Sequence, residues 1–103
     1  MIVARWLIDA RFGHKPKVIE LIRKWNQDIG PAVGISPDRI RLLHGSVGVP
    51  ESTMVMELTL DDLGALNAAW EKMATIPSHA KHAEELEPHI VSGSNRWEIY
   101  HVA

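Results

Sequence analysis

Polar and apolar positions alternate along the first segment. Ile2, Ala4, Trp6, Ile8, Ala10 and Phe12 share one face, with Arg5, Asp9 and Arg11 on the other beside Leu7. A period of two predicts a half-buried strand over 2–12, ended by Gly13 and Pro16. From Lys17 the period changes: Val18, Leu21, Ile22, Trp25 and Ile29 recur at helical spacing, while Glu20, Arg23, Lys24 and Gln27 form the wet side. Pro16 suits a first helical turn and Gly30-Pro31 a helix end. After a loop over 31–38, alternation returns at 39–47 and again at 53–60, where Met54, Met56, Leu58 and Leu60 oppose Val55, Glu57 and Thr59. Asp61 is a suitable N-cap for a second helix carrying Leu63, Leu66, Ala69, Trp70 and Met73 on one stripe. Ile76-Pro77 interrupts that helix, Ser78 is placed to cap a shorter piece running to Leu86, and a last strand covers 96–102.

The order strand, helix, strand, strand, helix, strand is the ferredoxin-like βαββαβ pattern of the α+β class. It predicts one domain over 1–103, a four-stranded antiparallel sheet in the order 4-1-3-2 with two helices on one face. The apolar phase of Trp6, Ile8, Leu42, Met56, Leu58, Trp97 and Ile99 is the expected core. The other face mixes Arg5, Asp9, Arg41, Glu57 and Glu98 with Leu7, Leu43, Val55 and Tyr100, too many large apolar groups for a solvated sheet face. A homodimer formed sheet against sheet satisfies it.

Composition narrows the classes. A chain of 103 residues has room for a modest core only. The absence of cysteine excludes disulfides, cysteine nucleophiles and thiolate metal sites. A net charge of −2 argues against nucleic-acid binding, and no apolar run approaches the length of a membrane span. The start of the chain does not resemble a signal peptide, so a cytoplasmic protein is expected. Residues 1–48 hold eight basic and four acidic side chains, and residues 49–103 three and nine. This asymmetry fits two complementary halves of one fold or of a dimer.

The stretch Leu66-Asn67-Ala68-Ala69-Trp70-Glu71-Lys72-Met73, then Ile76-Pro77-Ser78-His79, Leu86-Glu87-Pro88 and Ser92-Gly93-Ser94-Asn95-Arg96-Trp97-Glu98-Ile99-Tyr100, resembles the second half of NIPSNAP-like domains. Gly13-His14-Lys15 resembles their first strand-to-helix turn. The resemblance implies membership of the dimeric α/β-barrel superfamily, with the antibiotic-biosynthesis monooxygenases: a homodimer with a ligand cavity between each sheet and its helices or partner. It also implies a range of activities, among them cofactor-independent oxygenation, lactone isomerisation and haem degradation, as well as members with no known activity. In the haem-degrading branch an Asn on the first strand acts with a Trp and a His on the second helix. Trp70 and His79 stand in suggestive places here, but Asp9 and Ala10 stand where the resemblance would put the Asn.

Three candidate chemistries follow. Asp9 or Glu57 would be a general base with a raised pKa, Arg5 an oxyanion holder and Tyr100 a hydrogen-bond donor; the structural alternative makes these charges salt bridges between subunits. Trp70, His79, His82 and Tyr100 would shape a pocket for a small organic molecule with no cofactor, Trp70 being otherwise a core residue like Trp6, Trp25 and Trp97. His79 and His82, three apart, could begin a metal site completed by Glu57 or Glu85, but lacking further ligand spacing they read better as the polar rim of a cavity, and no metal is assigned. His44 and His101 read as structural histidines and His14 as solvated. Against an enzyme stands a non-catalytic ligand-binding or interaction module, with haem binding a lesser third reading.

Overall fold

The computed structural model describes residues 1–103. Strand β1 (Ile2–Asp9) leads to helix α1 (Lys15–Asp28), then β2 (Ile40–His44), β3 (Thr53–Leu60), helices α2 (Leu63–Ala74) and α3 (Pro77–Leu86), and β4 (Arg96–His101). The four strands form one antiparallel sheet in the order β2-β3-β1-β4, as the alternation predicts. Three helices cover one face rather than two. The polypeptide leaves helical geometry at Ile76, whose backbone is extended because a proline follows, and Pro77 opens α3 as an N1 residue.

Several boundaries differ from the sequence expectations for local reasons. β1 stops at Asp9 because Gly13, with φ +83°, turns the chain toward α1, and Phe12 is left fully exposed. β2 stops at His44 because a side chain at Gly45 would lie 1.8 Å from the Pro50 carbonyl, an approach only glycine permits. The cap of α2 is Asp62, whose carboxylate accepts from the Ala65 N–H at 2.8 Å. Asp61 instead accepts from the Arg39 guanidinium at 3.1 Å.

The core lies between sheet and helices. Ile2, Ala4 and Ile8 of β1 and Met54, Met56, Leu58 and Leu60 of β3 meet Val18, Leu21 and Ile22 of α1 and Leu66, Ala69 and Met73 of α2, all buried. Removal of this surface from water is the main stabilising term. His44 and His101 are exposed at strand ends, and Ile99, on the helix side of the edge strand, is only partly covered. No helix is long and apolar enough to cross a membrane.

Candidate ligand cavity and a charge ladder on opposite faces

The residues singled out in the sequence fall on two faces of the sheet. Trp70, His79 and His82 come together on the helix side, where they line a cavity of about 380 Å³. Arg5, Asp9, Glu57 and Tyr100 lie on the other side. The expected single site is therefore split by the thickness of the sheet.

The cavity floor is a row across the sheet, with Met56 opposite Trp6 and Trp6 opposite Trp97. Leu21, Ile22 and Trp25 of α1 form one wall and Trp70 and Met73 of α2 another, with His79, His82 and Leu86 of α3 between them. The break at Pro77 lets α3 pack on α1 rather than continue α2. All four tryptophans of the chain line the space. Trp70 and Trp97 meet edge to face with centroids 5.3 Å apart, a favoured aromatic geometry. The expectation that Trp6, Trp25 and Trp97 are simple core is thus amended: they pack against the core and also face the cavity.

Only three of the fourteen lining residues are polar, His79, His82 and Asn95. The Trp25 indole Nε1–H donates to His79 Nδ1 at 3.0 Å. Burial removes water from the His79 imidazole, and His82 adds like charge beside it; both hold its pKa below the ordinary histidine value. His82 Nε2 is 3.3 Å from Asp28 Oδ2 at the end of α1. Trp25, Asp28 and Asn95 were not singled out as site residues. Trp25 is on the expected apolar stripe, but Asn95 and Asp28 carry no local signal of their role. Glu57 is on the far side of the sheet and cannot complete a metal site with His79 and His82, and the structure holds no cluster of three or more metal-ligating side chains.

On the outer face, register aligns Arg41, Glu57, Arg5 and Glu98 in one row across all four strands, alternating in sign. Arg5 Nε donates to Glu57 Oε2 at 2.9 Å and Arg41 Nε to Oε1 at 3.0 Å. Arg96 Nε and the Tyr100 hydroxyl donate to Glu98 at 3.2 and 3.0 Å. Arg5 also lies over the Tyr100 ring, 5.2 Å from its centroid. Glu57 and Glu98 are thus paired within one chain, whereas the structural alternative read from the sequence had these charges bridging two subunits. Burial alone would raise the Glu57 pKa, but hydrogen bonds from Arg41 and Arg5, with their charges, outweigh it and hold the carboxyl below its ordinary value. That overturns the raised pKa expected of Glu57 as a base. Asp9 accepts from the Thr53 hydroxyl at 3.1 Å and borders a broad polar depression with Arg5, Ser94 and Arg96.

A ferredoxin-like sheet with one apolar, tryptophan-lined cavity under its helices is the class that fold and site define. No family model matches the sequence, and no curated protein matches it. Solved structures share the fold. A NIPSNAP family protein from Agrobacterium tumefaciens superposes with a TM-score of 0.80 at 18% identity, over 99% of this chain and 85% of that one. An uncharacterized NIPSNAP domain protein from Burkholderia xenovorans gives 0.74 at 18%, over 100% and 95%. A variant of SnoaB, a cofactor-independent oxygenase from Streptomyces nogalater, gives 0.69 at 12%, over 98% and 91%. The ferredoxin-like fold shared by NIPSNAP and monooxygenase-like proteins, anticipated from the sequence, is the one observed.

Proposed function

We propose that the chain binds a small, largely apolar organic molecule in the cavity beneath its helices and transforms it without a cofactor, by proton-transfer isomerisation or by oxygenation. The observation that carries the reading is the cavity itself: about 380 Å³, apolar walls and three polar side chains among fourteen lining residues. This is the size and composition of a small-molecule site. In this proposal His82, whose Nε2 lies 3.3 Å from Asp28, takes a proton at Nδ1 from an acidic C–H or O–H of the ligand. The resulting anion is either reprotonated at another carbon or attacked by dioxygen, a CH₂ group and O₂ giving a ketone and water. The likeness to a cofactor-independent oxygenase supports the second route through the fold alone.

On this reading Arg5, Asp9 and Glu57 are not the reacting groups. Their row organises the outer face, where Leu43, Val55 and Leu7 form an adjoining apolar row. Leu43 and Tyr100 remain exposed there. A second copy docked sheet to sheet would cover them, and we include that homodimer in the proposal, together with a cytoplasmic location suited to a cysteine-free chain. Haem does not fit the residues present: Nδ1 of His79 accepts from Trp25, and the first strand offers Asp9 and Ala10 rather than an Asn. A carrier without turnover is the second reading, favoured by the absence of any carboxylate from the cavity lining.

Native mass spectrometry of protein purified without a histidine tag tests the proposal. A dimer carrying an organic adduct of a few hundred daltons is expected. A monomer would contradict the assembly. Protein that stays bare, and gains no mass from a panel of aromatic ketones and phenols, would contradict the cavity reading.

A further inference from the structure

His79 has one neighbour whose hydrogen-bonding capacity is one-sided. The Trp25 indole has an N–H and no acceptor, so it can only donate. With Nε1 3.0 Å from His79 Nδ1, that ring nitrogen must present its lone pair. A neutral imidazole that accepts at Nδ1 carries its proton on Nε2. An imidazolium would place two hydrogens between Nε1 and Nδ1 and lose the bond, and burial with His82 alongside already disfavours that cation. The rings meet edge to face at 68°, the arrangement that aims the indole N–H at the imidazole edge. Nε2 of His79 makes no hydrogen bond within the chain, while Nε2 of His82 turns to Asp28. His79 therefore offers a fixed donor in a cavity whose other surfaces are almost entirely apolar.

We propose that Trp25 is a positioning residue that locks His79 in the Nε2–H tautomer, so that the cavity selects ligands bringing an acceptor oxygen, a ketone or the enolate or phenolate derived from it, to the His79 end. The ligand half of this inference rests on the cavity reading above; the tautomer half does not. An acceptor oxygen at this point becomes more negative when a neighbouring proton is removed, so the same N–H would hold the developing oxyanion. A ligand of the same shape without the oxygen would shut that N–H off from water and leave it unpaired, which costs binding free energy.

The test has two readouts. Two-bond proton–nitrogen NMR of histidine-labelled protein near pH 7.5 should show a pyrrole-type Nε2 and a pyridine-type Nδ1 for His79, and Trp25→Phe should give averaged nitrogens. Binding of 1-tetralone and tetralin, followed by tryptophan fluorescence, should favour the ketone about tenfold in the unsubstituted protein. That ratio should fall toward one in Trp25→Phe and in His79→Leu. A protonated Nδ1 in the unsubstituted protein, or an unchanged tautomer in Trp25→Phe, would overturn the lock. Equal affinity for the two probes would overturn the selection. If neither probe bound while the tautomer was as expected, the lock would stand and the cavity reading would fall.

Discussion

Glu57→Gln separates the two faces of the sheet. Its carboxylate is 6% exposed and receives three guanidinium hydrogen bonds, one from Arg5, 41% exposed, and two from Arg41, 67% exposed. The amide keeps the shape and one acceptor but turns an NH₂ toward one guanidinium. A hydrogen bond to a charged group contributes about 1.5–3 kcal/mol. Because both arginines reach water, the loss is discounted to about 2 kcal/mol in total. In a domain of this length that lowers Tm by about 10 °C. The loss also carries a pH signature. The folded state holds the Glu57 pKa below its ordinary value of 4.5, so the folded protein binds fewer protons than the unfolded chain in that window. The stabilisation is therefore fully present above about 4.5 and is lost as pH falls through the folded value. Urea unfolding followed by tryptophan fluorescence at pH 7, 5, 4 and 3 measures both effects. The gap between the two proteins should be largest at neutral pH and should close in acid, with 1-tetralone affinity at pH 7 unchanged within about twofold. A gap that is absent at pH 7, or that persists unchanged at pH 3, would refute the reasoning. A tenfold loss of ligand affinity in a folded variant would return Glu57 to the site.

Three further outcomes are expected. Asp62→Ala removes the N-cap of α2 and should cost about 1 kcal/mol in urea unfolding, whereas Asp61→Ala, which breaks only an exposed pair with Arg39, should cost less than half of that. Trp70→Ala opens one wall of the cavity and ends the edge-to-face contact with Trp97, and should weaken 1-tetralone binding about tenfold in a fluorescence titration. Leu43→Glu puts a charge on the apolar row of the outer face and should convert the proposed dimer to monomer by light scattering, with the helical content by circular dichroism retained.

Most of the fold was legible because each strand has a solvent side and a core side. Thr53–Leu60 was readable to the residue: strict alternation runs between turn-forming neighbours at both ends. The same signal overran in β1, where Ala10 and Phe12 keep the phase. Alternation does not report that Gly13 turns the chain away or that Arg11 donates to the Ile90 carbonyl. Asp61 and Asp62 were indistinguishable as caps, since the choice depends on Arg39 approaching from a distant turn.

The site was legible in part. The spacing of His79 and His82 places them on one helix side, and both do face the cavity. Periodicity marks a stripe as apolar but does not say whether the space beneath it is filled, so Trp6, Trp25 and Trp97 read as core. The bond from Trp25 to His79 spans 54 residues and depends on α3 leaning against α1, which no local pattern encodes. Glu57 was legible as either a base or a salt-bridge partner, and the choice rests on register, which puts one arginine on each side of it.

The claim that the space beneath the helices is the working site can be tested by titrating 1-tetralone into nitrogen-labelled protein and following the tryptophan indole N–H signals. The account predicts saturable shifts for all four indoles and for His79, with the backbone amides of Arg41 and Glu98 on the outer row unmoved. Shifts confined to the outer row, or no saturable shift in any indole, would contradict it.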